Sequence, residues 1–280
     1  MTQLISSIVK GSENRPMAVD LRFDDQHPQS PVVIFVHGFK GFKDWGHFPK
    51  VGEELVKAGF AFVSFNFTHD GTTIDKPTDF ADLEAFGNNN YRKELFDIQV
   101  VIDALSDGTL FPETDLNRKK LFLFGHSRGG GMSIVKTSED DRIKGLVTWA
   151  SVGSLKRTQV DMEKWKMDGV VYIPNARTNQ QMPMYYQFVE DYVAQKERYS
   201  LEKCCKEITV PALFIHGSND STVPSSDAKK LEEWCSSGKT VLVEKADHTF
   251  GGKHPFMDDG LPTHSMTAID ATIKHFRSIS

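Results

Sequence analysis

Short apolar runs alternate with longer amphipathic stretches along most of this chain. The runs are 32–36 (Val-Val-Ile-Phe-Val), 121–124 (Leu-Phe-Leu-Phe), 143–149, 210–217 and 240–243. Bounded by glycines and polar turn residues, runs of this length predict buried strands. Residues 60–67 predict another. In 17–23 apolar and polar positions alternate, which predicts an early antiparallel strand. Helix patterns fall between the runs. Residues 45–58 predict a helix that stops at Gly59. Residues 91–105 are amphipathic, with Leu95, Ile98, Ile102 and Leu105 on one face. Residues 224–234 and 266–276 predict two more, the last turning Ile269, Ile273 and Phe276 inward. Strands alternating with helices predict an α/β fold, with a mostly parallel central sheet flanked by helices. No internal repeat or low-complexity segment interrupts it.

The candidate chemistry sits at the ends of these runs. Gly125-His126-Ser127-Arg128-Gly129-Gly130 follows 121–124 directly. A G-x-S-x-G between a strand and a helix reads as a nucleophile elbow, a sharp turn that lifts a serine hydroxyl above the sheet. The serine backbone is strained there, and Gly129, Gly130 and Gly131 let the following helix start close against the sheet. The alternative is a tight turn bearing a surface serine.

A serine hydroxyl needs a base and an orienting acid. The strand 210–217 ends in Ser218-Asn219-Asp220, and the strand 240–243 is followed by a loop holding His248. Ser127, Asp220 and His248 therefore fall on one edge of the sheet, where open α/β folds place their sites. Ser127 is the candidate nucleophile, His248 the base and Asp220 the acid. Asp220 also fits a plain turn. Asp247 points the wrong way on a short loop. His126 is given a structural role, His216 packs under the acid loop, and His254 and His264 are surface residues.

An oxyanion hole needs two backbone N–H donors. Arg128, next to the nucleophile, supplies one. Phe39, in the loop 37–42 after the strand 32–36, supplies the other, with Gly38 and Gly41 letting that loop turn its amides inward. Lys40 and Lys43 are expected to stay solvated. The Arg128 guanidinium is expected in a structural salt bridge with an acidic loop or cap residue, ahead of a role in greeting a substrate carboxylate.

The pieces His37-Gly38-Phe39, Gly125 through Gly130, His216-Gly217-Ser218-Asn219-Asp220 and Ala246-Asp247-His248-Thr249-Phe250 resemble the α/β-hydrolase superfamily. The closer likeness is to its serine esterase and dienelactone-hydrolase-like branch. The chain is also similar to cinnamoyl and feruloyl esterases that carry a small inserted cap. The resemblance runs from about residue 32 to the C-terminus. It departs at one point: dienelactone hydrolases proper use cysteine as nucleophile, and Ser127 stands here.

The resemblance implies a serine hydrolase that cleaves carboxylic esters through an acyl-enzyme. A thioesterase or small-peptide amidase on the same triad is the alternative, and a non-catalytic ligand binder is the non-enzyme one. An aspartate-nucleophile dehalogenase or epoxide hydrolase conflicts with the serine. Core segments 1–151 and 209–280 then flank an inserted cap at 152–208. That insert carries Trp165, Met167, Tyr172, Met182, Met184, Tyr185, Tyr186, Phe188, Tyr192 and Tyr199. Tyr185, Phe188 and Tyr192 recur at helical spacing. Most of these side chains are expected to pack on the body, and two or three to face Ser127. Residues 68–90 either line the mouth of the site or form a solvated loop.

Composition narrows the partners. The 280 residues hold 33 basic and 38 acidic side chains, a formal charge of -5, with no basic patch to suit nucleic acid. No run is apolar and long enough to span a membrane, and residues 1–10 lack a signal-peptide pattern. Three cysteines, two adjacent, oppose a disulfide framework and suit a cytoplasmic protein. No phosphate loop, dinucleotide fingerprint or His-Glu-x-x-His is present, so no cofactor or metal is expected. The expected partner is a small-molecule ester. Neither its acyl and alcohol groups nor an oligomeric state is written in these motifs.

Overall fold

Every residue from Val32 to Val36 is fully buried, which requires cover on both faces of the strand. Val32, Ile34 and Val36 belong to one apolar cluster, and Val33 and Phe35 to another. The same alternation holds at 121–124, where Leu121 and Leu123 face the first cluster and Phe122 and Phe124 the second. The computed structural model describes residues 1–156 and 161–280. Its elements are β1 (Gln3–Lys10), β2 (Pro16–Phe23), β3 (Ser30–Val36), α1 (Phe48–Lys57), β4 (Ala61–Phe65), α2 (Leu83–Gly87) and α3 (Tyr91–Ser106). There follow β5 (Leu116–His126), α4 (Arg128–Glu139), β6 (Ile143–Trp149), α5 (Met162–Asp168), β7 (Val170–Asn175), β8 (Gln180–Tyr185) and α6 (Gln187–Ala194). The chain closes with α7 (Leu201–Glu207), β9 (Ala212–Gly217), α8 (Ser226–Trp234), β10 (Gly238–Val243) and α9 (Thr263–Arg277).

Eight strands form one sheet in the order β1-β2-β4-β3-β5-β6-β9-β10. β2 runs antiparallel to both β1 and β4, and the pairs from β4 to β10 are parallel. Apolar side chains of α3, α4, α7 and α8 fill the first cluster, and those of α1 and α9 fill the second. This is the expected α/β-hydrolase architecture. Its topological switch lies at β3: the chain goes first to β4 on one side, then crosses to β5 on the other. The crevice beyond the C-terminal ends of β3 and β5 is where such folds bind ligands.

Several elements differ from expectation. β1 carries no burial signature, since Leu4 and Ile8 are 55% and 58% exposed, and backbone pairing with β2 creates it. The helix expected from residue 45 starts at Phe48, because Gly46 sits at φ +58° and Pro49 favours the first helical turn. Residues 68–90 are solvated only in part. Thr68, His69, Asp70, Thr72, Phe80 and Phe86 are buried there, and α2 packs against β8, with the Tyr185 ring filling the place of a Gly87 side chain.

Between β6 and β9 stand α5, the two-stranded antiparallel β7–β8 sheet, α6 and α7. Part of the expected cap, 157–160, lies outside the described residues. Tyr185 ends β8, so the helical spacing read through it continues only from Phe188 to Tyr192 on α6. No helix of the described residues is long and apolar enough to cross a membrane.

Candidate active site

Ser127 occupies the one-residue turn between β5 and α4 at φ +56° and ψ −120°, a region that L-residues enter only under strain. Close packing fixes it there. A Cβ on Gly129 would stand 2.1 Å from the Val36 carbonyl oxygen, so only glycine lets α4 start against the end of β3. The Ser127 amide donates to the Trp149 carbonyl at 2.9 Å, fastening the turn to β6.

The structure brings Ser127, His248 and Asp220 together. Ser127 Oγ lies 3.0 Å from His248 Nε2, and His248 Nδ1 lies 2.7 Å from Asp220 Oδ2. The Asp220 side chain is fully buried, while that of His248 keeps 18% exposure. Asp220 receives four donors. Oδ1 accepts from the Thr222 and Val223 amides at 2.8 and 2.9 Å. Oδ2 accepts from His248 and faces His216 Nε2 at 3.2 Å. Burial alone would raise this carboxyl, but hydrogen bonds from His216, His248 and the Val223 amide outweigh it and hold Asp220 well below the usual carboxylate range. Asp247 turns away, and its Oδ1 accepts from the Thr249 and Gly251 amides.

Two other histidines are given functions by this geometry. His216 Nε2 also faces the Val223 carbonyl oxygen at 3.1 Å. Both of its neighbours are acceptors, so this nitrogen carries the proton. His126 Nε2 donates to the His248 carbonyl oxygen at 3.0 Å, tying the elbow to the loop of the base. Both sit in the expected motifs; His216 is held within its own loop, while the partner of His126 lies across the fold. His254 is half-buried rather than a surface residue, with Nδ1 accepting from the Gly46 amide at 2.9 Å.

His47 and His126 make the site sensitive to acid. Burial pushes the His47 imidazole down to about 4, and burial with repulsion from His248 pushes His126 down to about 3. Both side chains are held neutral in the fold, while in the unfolded chain they take up a proton near the ordinary 6.5. Their contribution to stability is therefore complete above that pH and is lost as pH falls through it toward the folded values. Each proton steepens the loss by roughly 1.4 kcal/mol per pH unit, so the pair together steepens it by at most about 3 kcal/mol per pH unit. Urea unfolding is expected to show the midpoint falling between pH 6.5 and 4.5. A flat profile over that range would contradict it.

Phe39 and Arg128 border the same cavity as Ser127, of about 770 Å³, and the Gly38 Cβ position lies 3.0 Å from Ser127 Cβ. The loop holding Phe39 is anchored, which corrects the expectation of solvated lysines. Lys43 is 6% exposed, with Nζ bound to Asp20 of β2 and to Asp44, because burial of an ammonium requires paired carboxylates. Its amide donates to Asn66 Oδ1 at 2.7 Å. Lys40 Nζ donates to the Pro174 carbonyl of β7 at 3.1 Å.

Among the described residues, most of the cavity wall comes from 152–156 and 161–174, with Thr222 and Val223 adding the acid loop. Of the aromatic and methionine side chains named in the insert, Tyr172 is the one on this wall among the described residues. Trp165, Met182, Met184 and Phe188 are buried in the body instead. Arg128 makes the structural salt bridge, but with a helix residue: Nη1 donates to Glu94 Oε1 of α3 at 3.0 Å. Among the described residues, no group of three or more His, Cys, Asp or Glu side chains is arranged to hold a metal ion.

Comparison with known proteins places this chain in a family. The model of the dienelactone hydrolase family matches residues 21–266. The chain belongs to the dienelactone hydrolase family. Among solved structures, this dienelactone hydrolase family member is similar to Est1E from Butyrivibrio proteoclasticus, at a TM-score of 0.69 and 19% identity over 98% of this chain and 97% of that one. One structure of Est1E has ferulic acid bound. A dienelactone hydrolase from Anabaena variabilis aligns at a TM-score of 0.65 and 16% identity, over 99% of this chain and 98% of that one. A monoacylglycerol lipase from Paleococcus ferrophilus aligns at 0.65 and 18%, over 99% of this chain and 100% of that one. At these identities the structural likeness shows the fold. No curated protein matches the sequence at a significant level.

Proposed function

We propose that this hydrolase cleaves carboxylic esters through a serine nucleophile and an acyl-enzyme. The observation that carries the reading is the unbroken line from Ser127 Oγ through His248 to Asp220, at 3.0 and 2.7 Å. Asp220 accepts at Nδ1 of His248, so Nδ1 keeps its proton and Nε2 presents a lone pair to the Ser127 hydroxyl. As Oγ bonds to the ester carbonyl carbon, Nε2 takes the hydroxyl proton and the carbonyl π pair moves onto oxygen. The amides of Phe39 and Arg128 hold that oxyanion. Collapse breaks the bond to the alcohol oxygen, which leaves with the proton from Nε2. Water then attacks the acyl-enzyme with His248 as base, and the carboxylic acid leaves Ser127.

In this reading 152–208 acts as the cap that sizes the acyl or alcohol group. The ferulic acid held by Est1E and the lipase among the neighbours support testing both aromatic and aliphatic esters. The test is a p-nitrophenyl series from acetate to octanoate, together with a ferulate ester, using the native chain and Ser127→Ala. The expected result is turnover that vanishes in the variant, with a fluorophosphonate labelling Ser127 of the native chain. No turnover and no label in the native chain would overturn the reading. Labelling without ester turnover would move it to the matched thioester or aminoacyl amide.

A further inference from the structure

Arg128 is 6% exposed beside Ser127, and its side chain is caged by the Phe39 loop, α3 and α6. Its guanidinium carbon lies 3.9 Å from the centre of the Phe39 ring, and 5.6 Å from those of Tyr91 on α3 and Phe188 on α6. At 3.9 Å the guanidinium rests on the face of the Phe39 ring, the geometry of a cation–π contact. Glu94 meets Arg128 at one point only. Nη1 donates to Oε1, and the Asn89 side-chain amide donates to the same oxygen at 2.8 Å. Among the described residues, Nη2 of Arg128 and Oε2 of Glu94 are buried without a hydrogen-bond partner.

A two-point pair is the stronger arrangement for Arg and a carboxylate, and a buried ion pair adds little net stability. Leaving both groups half-satisfied therefore makes no sense as a stability device. It does make sense if the plane of the guanidinium is set by the Phe39 ring. Phe39 is the residue whose amide is assigned to the oxyanion hole, and its loop, anchored through Lys40 and Lys43, meets Arg128 through the Phe39 ring. Its ring also packs against that of Phe86, at 5.5 Å between ring centres.

We propose that the Arg128 side chain, held by Glu94, is a positioning residue that fixes the Phe39 amide in the oxyanion hole. The inference rests on the serine-hydrolase reading. Arg128 then acts twice, donating its own amide to the oxyanion and clamping the second donor through its side chain. Phe188 also links the clamp to α6, so the seating of that helix bears on the same residue.

The test is a double-mutant cycle with Phe39→Leu and Arg128→Met, with Glu94→Gln and Phe39→Tyr alongside. Two readouts are taken: kcat and KM for a p-nitrophenyl butyrate, and the rate at which an alkyl fluorophosphonate labels Ser127. Each of Phe39→Leu, Arg128→Met and Glu94→Gln is expected to lower kcat and the labelling rate by roughly 10- to 100-fold, with KM changed by less than about threefold. The double variant falls no further than the worse single one, because both remove the same clamp. Phe39→Tyr keeps the ring and recovers most of the rate. If Arg128→Met fails to fold, Glu94→Gln with Phe39→Leu completes the same cycle. Effects that multiply in the double variant, or a Phe39→Leu variant that keeps its rate, would overturn the clamp while leaving the serine hydrolase intact. A native chain that takes no label would remove that reading, and the clamp with it.

Discussion

Replacing Ser127 by glycine is expected to abolish turnover and to raise the melting temperature, while Ser127→Ala abolishes turnover without that gain. The activity loss follows from the proposed chemistry. Without Oγ no acyl-enzyme forms, and kcat is expected to fall about 10⁴-fold or more. The stability difference follows from the backbone. At φ +56° and ψ −120° a Cβ of either serine or alanine stays strained, at a cost of about 1–3 kcal/mol. Glycine enters that region freely, and its larger unfolded-state entropy returns only part of the gain. A net gain of about 1 kcal/mol corresponds to a rise of roughly 2 °C in a chain of this size. Calorimetry on the three proteins, with ester turnover in parallel, checks both parts. Equal melting temperatures for the glycine and alanine variants would mean that the elbow stores no strain.

Asp220→Asn is expected to lower kcat by about 10⁴-fold while the protein stays folded. The reason is in the donor count. Both oxygens of Asp220 face donors: two backbone amides on one side, His248 and His216 on the other. An asparagine NH₂ must confront one side. The backbone amides cannot give up their protons, so the NH₂ turns to the histidines. His248 then presents a lone pair at Nδ1 and carries its proton on Nε2, where it can no longer accept from Ser127. The loss should hold across the pH range, because the native carboxyl is held well below the usual range and stays ionised wherever the chain is folded. A kcat within tenfold of native would remove Asp220 from the triad. Recovery of rate only at high pH would point instead to a base other than His248.

The strands that build the site were readable because their signal is local. β3 and β5 are apolar on both faces, and each ends in a glycine-bearing turn whose sequence already names Phe39 and Ser127. Asp220 and His248 follow β9 and β10 for the same reason. What could not be read locally is what meets across the fold. Lys43 looks like a solvated loop lysine until Asp20, 23 residues earlier, arrives beside it on β2. Glu94 reads as the polar face of an amphipathic helix, yet it is 3% exposed and holds Arg128. Residues 68–72 are polar in sequence and buried in the fold, because Asp97 on α3 takes the Thr68 amide while Asn66 and Asp70 bond Thr72 locally. Edge strand β1 escaped notice because backbone pairing, not side-chain burial, creates it.

The wall of the cavity has a consequence for the chain's history. The parts assigned to bond breaking are dispersed over four loops, from Phe39 to His248. Among the described residues, the wall of the cavity comes mostly from two neighbouring stretches, 152–156 and 161–174. Such a division lets selection exchange substrates by rewriting a single short span of the gene, while the dispersed machinery is left untouched. Diversification would then concentrate in that span, and recombination at its borders would move specificity between relatives as one unit.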